Sequence, residues 1–300
     1  MKPWRFTWRK ITCEPVSERR GTSINIGIRL HDTAPGTLKE RLAFAKAQGF
    51  SCAHTALSKV LDDFAMKDAP EKLTPEYAAA FLREFGEAGM ECAVLGCYLN
   101  LADPNPERRA GTQEIYKAHL RFAAMAGARV VGTETPANPE SGFGDPARSE
   151  EAFRLFLDSL RPVVRCAEET GALLAVEPVW YHIVSTPERA ARMLEEIPSA
   201  NLRIILDAVN LLSPRTAGQA ENIIRRAISL LGDRIEILHM KDYVITGGEM
   251  NACACGLGSM RYEQLLAFAT SRNLPMTLEN TVPENAEAAR IYLEEIAGKM

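Results

Sequence analysis

ALLAVE (172–177), LRIILD (202–207), IEILH (235–239) and PMTLE (275–279) are four short apolar runs, and each closes on a residue able to ligate a metal: Glu177, Asp207, His239 and Glu279. None of the runs alternates polar with apolar residues, which is the pattern of strands covered on both faces of a parallel sheet. Upstream stand four more runs of the same kind, INIGIRL (24–30), SCAHTAL (51–57), ECAVLGC (91–97) and ARVVGTE (128–134). Between them lie segments with helical spacing. TPEYAAAFLREFGEAG puts Thr74 at an N-cap, Pro75 at the first helical position and Gly89 at the C-cap; STPERAARMLEEI repeats the start with Thr186 and Pro187. Eight such units predict an α/β fold, a (β/α)8 TIM barrel forming a single domain over 24–300, with 1–23 as a short N-terminal extension. An open doubly wound sheet alternates similarly, but eight units in this length fit the closed barrel better.

The bulk properties narrow the partners. The 300 residues carry a net charge of −4, so the chain offers no positive field for nucleic acid or an anionic membrane. No run approaches the roughly 20 apolar residues of a membrane span, and MKPWRFTWRK lacks the apolar stretch of a secretory signal. Seven scattered cysteines do not read as a disulfide framework. A cytoplasmic protein with neither nucleic-acid nor membrane partner is expected. The extension, with Trp4 and Trp8, reads as a segment packed on the barrel bottom or partly disordered, or else as a partner-binding arm, and a homo-oligomer stays open.

In a TIM barrel the active residues sit at the C-terminal ends of the strands, so end residues of neighbouring strands can meet at one point. One strand-end carboxylate is ordinarily a cap or a solvated group, and His239 alone would read as a buried imidazole bonded to a loop. Three carboxylates crowded together would raise one another's pKa unless a cation neutralised them. Three oxygen donors and one imidazole suit a divalent ion, Mn2+ first, with Mg2+, Co2+, Zn2+ and Fe2+ as alternatives. Such an ion would act as a Lewis acid toward an oxygen bound to it.

Several residues are candidates for the surroundings. Glu134, His182, Asn210 and Lys241 are expected to bind substrate, against plain structural roles for each; Asp242 reads as the ion-pair partner of Lys241. His54, Tyr98 and Asn100 are candidate pocket walls, and Trp180 a stacking face with core packing as its rival. The segment from Met240 to Ser259 is expected to be a long loop shaping the site. Within it, CACGLGS offers Gly256-Leu257-Gly258, a weak phosphate-cradle motif, and Cys253 and Cys255, which have no second pair at zinc-site spacing.

AVEP (175–178), LDAVNLL (206–212), LHMKDY (238–243), CGLGSMRYEQLL (255–266) and TLENT (277–281) together resemble the xylose isomerase-like barrels, also called the sugar phosphate isomerase/epimerase or endonuclease IV-like superfamily. The resemblance implies that Glu177, Asp207, His239 and Glu279 match the family's metal ligands one by one. It further implies that Glu177 and Glu279 move protons on opposite faces of a small carbohydrate, in an isomerase or epimerase. Two positions depart: Asn210 stands where many ketose epimerases of the family have a histidine, and Lys241 and Asp242 lie in a segment, MKDYVITGG, where those enzymes tend to carry an arginine. A lyase of the inosose dehydratase or C-glycoside-cleaving kind is the alternative, and a non-catalytic or partner-dependent subunit a further one. A DNA-repair phosphodiesterase would need a multi-metal cluster with more histidines, and the chain has five in all.

Overall fold

A computed structural model describes residues 24–136 and 147–300; the predicted extension, 1–23, lies outside the described residues. Eight parallel strands close into a barrel: β1 (Ile26–Arg29), β2 (Cys52–Thr55), β3 (Glu91–Gly96), β4 (Val130–Glu134), β5 (Leu174–Glu177), β6 (Leu202–Asp207), β7 (Ile235–Met240) and β10 (Met276–Leu278). Helices fill the intervals, so the predicted (β/α)8 barrel is the fold. The punctuation works as expected: the Thr74 hydroxyl accepts from the Tyr77 amide at 3.2 Å, and Gly89 ends that helix at φ 60°. Thr186 accepts from Arg189 N, also at 3.2 Å.

The segment expected to be a long loop folds instead into an antiparallel hairpin, β8 (Asp242–Thr246) and β9 (Glu249–Cys253). Its turn is Gly247-Gly248, at φ 63° and 87°. Positive φ at both central residues is what a two-residue hairpin turn requires, and glycine adopts it without a Cβ clash. Among the described residues no helix is long and apolar enough to cross a membrane.

What places the mouth residues is the two-residue period of a strand. A buried cluster of Cys52, Ala93, Val94, Val130, Ala175, Ile205 and Ile237 fills the barrel interior. Two residues further along the same strands, and so on the same inward face, come His54, Gly96, Gly132, Glu177, Asp207 and His239. Polar groups thus form the layer directly above an apolar plug. The two glycines keep that layer open: a Cβ on Gly96 would lie 2.6 Å from the Tyr98 ring and 2.9 Å from His54 Nε2, and one on Gly132 would meet Val94 at 2.6 Å.

Candidate metal centre

The strand ends converge as the barrel demands. Asp207 and His239 are register partners on β6 and β7, and Glu134 and Glu177 on β4 and β5. Glu177, Asp207 and His239 bring one ligand atom each within 4.8 Å of one another; so do His54, His239 and Glu279. His239 joins the two groups, with Nδ1 3.0 Å from Glu177 Oε2 and 3.3 Å from Glu279 Oε1. All four predicted ligands are buried. Among the described residues both His239 nitrogens lack a hydrogen-bond partner of good geometry, and Asp207 Oδ2 is met by the Lys241 ammonium. Buried polar atoms are rarely left so, and this donor set fits a divalent ion.

The electrostatics are those of crowded acids held by nearby cations. Burial lowers the pKa of His239, but Glu279 and Glu177 outweigh it and raise it to about 9. Asp207 is pushed up to about 6, chiefly by burial, with Lys241 opposing. Burial would also raise Glu279, yet His239 and Lys241 hold it well below the usual carboxylate range. Lys241, itself buried, places its ammonium 2.9 Å from Asp207 Oδ2 and 3.3 Å from Glu279 Oε2. These two carboxylates, not Asp242, are its partners.

Asp242 turns the other way. Its Oδ2 accepts from the amides of Gly256 and Gly258 at 3.1 and 3.0 Å, and its Oδ1 from those of Tyr243 and Met260, both at 2.8 Å. An internal carboxylate therefore fills the glycine-loop amides that a phosphate would have used. Cys253 and Cys255 are free thiols.

The remaining predicted residues divide between mouth and periphery. Asn210 is in the mouth: its Nδ2 donates to Glu177 Oε1 at 2.5 Å and its backbone amide to Asp207 Oδ1 at 3.0 Å. Glu134, a third exposed, lies 3.6 Å from His182 Nδ1. Burial, then Glu177 and Glu279, push Glu134 up to about 8, and burial pulls His182 down to about 4. His54 stacks on the His239 ring, with centroids 5.1 Å apart and planes 8° from parallel, and Tyr98 OH sits 2.9 Å from its Nε2. Asn100 turns into its own loop, accepting from the Ala102 amide. Trp180 borders an outer cavity of about 350 Å³ with Pro187, Leu211 and Ile223.

Sequence reasoning missed Arg29. Its NH1 lies 3.4 Å from Glu279 Oε2, and its Nε bonds Asp32, whose carboxylate also accepts from the Thr281 amide. The signal was present, because Arg29 ends β1 as Glu177 ends β5; reading the first run on to Leu30 hid it.

A family model described as the xylose isomerase-like TIM barrel matches residues 42–297. No curated protein matches the chain. Among solved structures, the 3-keto-D-glucoside 4-epimerase of E. coli aligns with a TM-score of 0.69 at 17% identity, over 91% of this chain and 100% of that one. The D-psicose 3-epimerase of Clostridium cellulolyticum, solved with D-tagatose, aligns at 0.70 and 14%, over 91% and 99%. A xylose isomerase-like TIM barrel protein of Mycobacterium smegmatis, in complex with magnesium, aligns at 0.66 and 15%, over 92% and 96%. At these identities the structural likeness is one of fold.

Proposed function

Because the chain belongs to the xylose isomerase-like TIM barrel family, we propose that it is a divalent-metal-dependent isomerase or epimerase of a small sugar, working by proton transfer at a carbon next to a carbonyl. The observation that carries this reading is a buried cluster in which Glu177 and Asp207 on one hand and Glu279 on the other each bring a ligand atom close to the same residue, His239. These four residues would hold the ion, Mn2+ by preference. When bound, it would supply a Lewis acid that polarises the carbonyl and stabilises the enediolate.

The chain's own groups do the rest. Glu279 lies against His239 and Lys241 and is the carboxylate proposed to take the proton on one face of the substrate. Glu177 is fixed by Asn210 and His239 at its two oxygens and is the carboxylate proposed to serve the opposite face of a flat enediolate. Lys241 and Asn210 are donors for substrate oxygens, with Glu134 and His182 on the adjoining wall. Glu177→Gln and Glu279→Gln should each lower turnover by roughly 10²- to 10⁴-fold, the usual worth of a positioned acid or base, with circular dichroism unchanged. Full activity in either variant would remove it from the proton-carrying role.

One observation favours a lyase as the second reading. Glu134 stands at the end of β4 beside Glu177 and 3.6 Å from His182 Nδ1, a place from which a carboxyl group could deliver a proton to a leaving hydroxyl. NMR of ketoses and inososes incubated with the protein in D2O separates the two. Deuterium next to the carbonyl of an intact sugar supports isomerase or epimerase chemistry, and a dehydrated product supports elimination.

A further inference from the structure

We propose that His54 is a fifth protein ligand of the metal, so that the centre presents two imidazoles with three carboxylates and prefers Co2+, Zn2+ or Fe2+ over Mg2+. The inference rests on the reading above that the site holds a divalent ion.

His54 reaches the site from the far side of the barrel. It lies on β2, two residues beyond the inward-facing Cys52, and is 1% exposed. Its ring lies flat against that of His239, and the two Nδ1 atoms straddle one carboxylate oxygen: Glu279 Oε1 is 3.3 Å from His239 Nδ1 and 3.6 Å from His54 Nδ1. His54 Nδ1 is buried, has no hydrogen-bond partner of good geometry, and falls with His239 and Glu279 in one group of mutually close ligand atoms. The other ring nitrogen is anchored, with Nε2 2.9 Å from Tyr98 OH. A metal-bound histidine shows this division, one nitrogen for the ion and the other donating to an oxygen that fixes ring and tautomer. With the proton on Nε2 and the Tyr98 oxygen accepting it, the Nδ1 lone pair is left for the ion.

The alternative role, a wall that contacts only substrate, makes no use of the Nδ1 atom that faces Glu279 Oε1. Adding an imidazole to an oxygen-rich set strengthens binding of Co2+, Zn2+ and Fe2+ far more than of Mg2+, which takes oxygen donors.

The test uses the full-length protein stripped with a chelator and titrated separately with Co2+ and Mg2+, for the wild type, His54→Ala, His54→Gln and Tyr98→Phe. His54→Ala and His54→Gln should each weaken Co2+ about tenfold or more while changing Mg2+ by less than about threefold. Tyr98→Phe should weaken Co2+ by a smaller factor. Pulsed EPR of the Cu2+-loaded protein should count two coupled imidazoles in the wild type and one in His54→Gln. One imidazole in the wild type, or an unchanged Co2+ to Mg2+ preference in both His54 variants, overturns the inference and leaves the four-ligand centre intact. A wild type that binds no ion stoichiometrically overturns both. Glutamine preserves a polar side chain of similar reach if the alanine variant fails to fold.

Discussion

On one side of the barrel mouth β5, β6, β7 and β10 lead to Glu177, Asp207, His239 and Glu279; on the other, β1, β2 and the turn after β3 supply Arg29, His54 and Tyr98. The first side is a set of like charges kept together by opposite ones, with Lys241 bridging Asp207 and Glu279. The second carries, beside Arg29, two rings kept uncharged: burial pulls the pKa of His54 down and pushes that of Tyr98 well up. Space holds those rings in place, the room left by Gly96 and Gly132. One half is positioned by charge and the other by shape, so the two should fail differently when altered.

The largest effect belongs to the charged half. Lys241→Met leaves Asp207, which is 0% exposed, without its cation and should destabilise the chelator-treated protein by about 3–5 kcal/mol in urea unfolding. Added Mn2+ should recover much of that loss, since a divalent ion can serve the same carboxylates. A variant as stable as the wild type would show that charge does not hold this half. Next comes the hairpin beside it. Asp242→Asn weakens an acceptor shared by four backbone amides, at roughly 1.5–3 kcal/mol. Hydrogen exchange should rise first at residues 254–260, and uniform exchange would contradict the anchoring role.

The shape-held half should respond less. Gly96→Ala inserts a methyl group against Tyr98 and His54 and should cost about 1–3 kcal/mol as overpacking, with no dependence on added salt. A marked salt dependence would erase the distinction between the halves.

The same contrast explains what could be read from sequence. The strands, the caps at Thr74 and Thr186, and the place of Glu177, Asp207, His239 and Glu279 at the barrel mouth are legible because each follows from a local rule: an apolar run, a capping residue, a strand end. The hairpin is hidden because a pair such as Gly247-Gly248 suits an irregular loop as well as a two-residue turn. The true partners of Lys241 lie 34 and 38 positions away in the chain, so no local pattern could distinguish them from its neighbour Asp242. Nor could spacing reveal that the Asp242 carboxylate fills the glycine-loop amides, or that His54 stacks on His239 across the barrel.

The finest effect is one of pH. In the metal-stripped protein His239 is held protonated up to about 9, above its ordinary value near 6.5. A raised pKa contributes stability that is complete below the unfolded value and is lost as pH rises through the folded one. Stability of the stripped protein should therefore decline between about pH 6.5 and 9. Metal affinity should rise across the same window, because the ligating imidazole must be neutral. Proton release on Mn2+ binding, measured by calorimetry in buffers of different ionisation enthalpy, checks both. No release at pH 7 would contradict the role of His239.

Equilibrium dialysis of the stripped protein against Mn2+ tests the central claim most directly. The wild type should retain one ion per chain, while His239→Ala and Asp207→Asn retain essentially none at the same free concentration. A wild type that retains none, or two variants that each keep a full ion, would contradict the metal centre proposed at the mouth of this barrel.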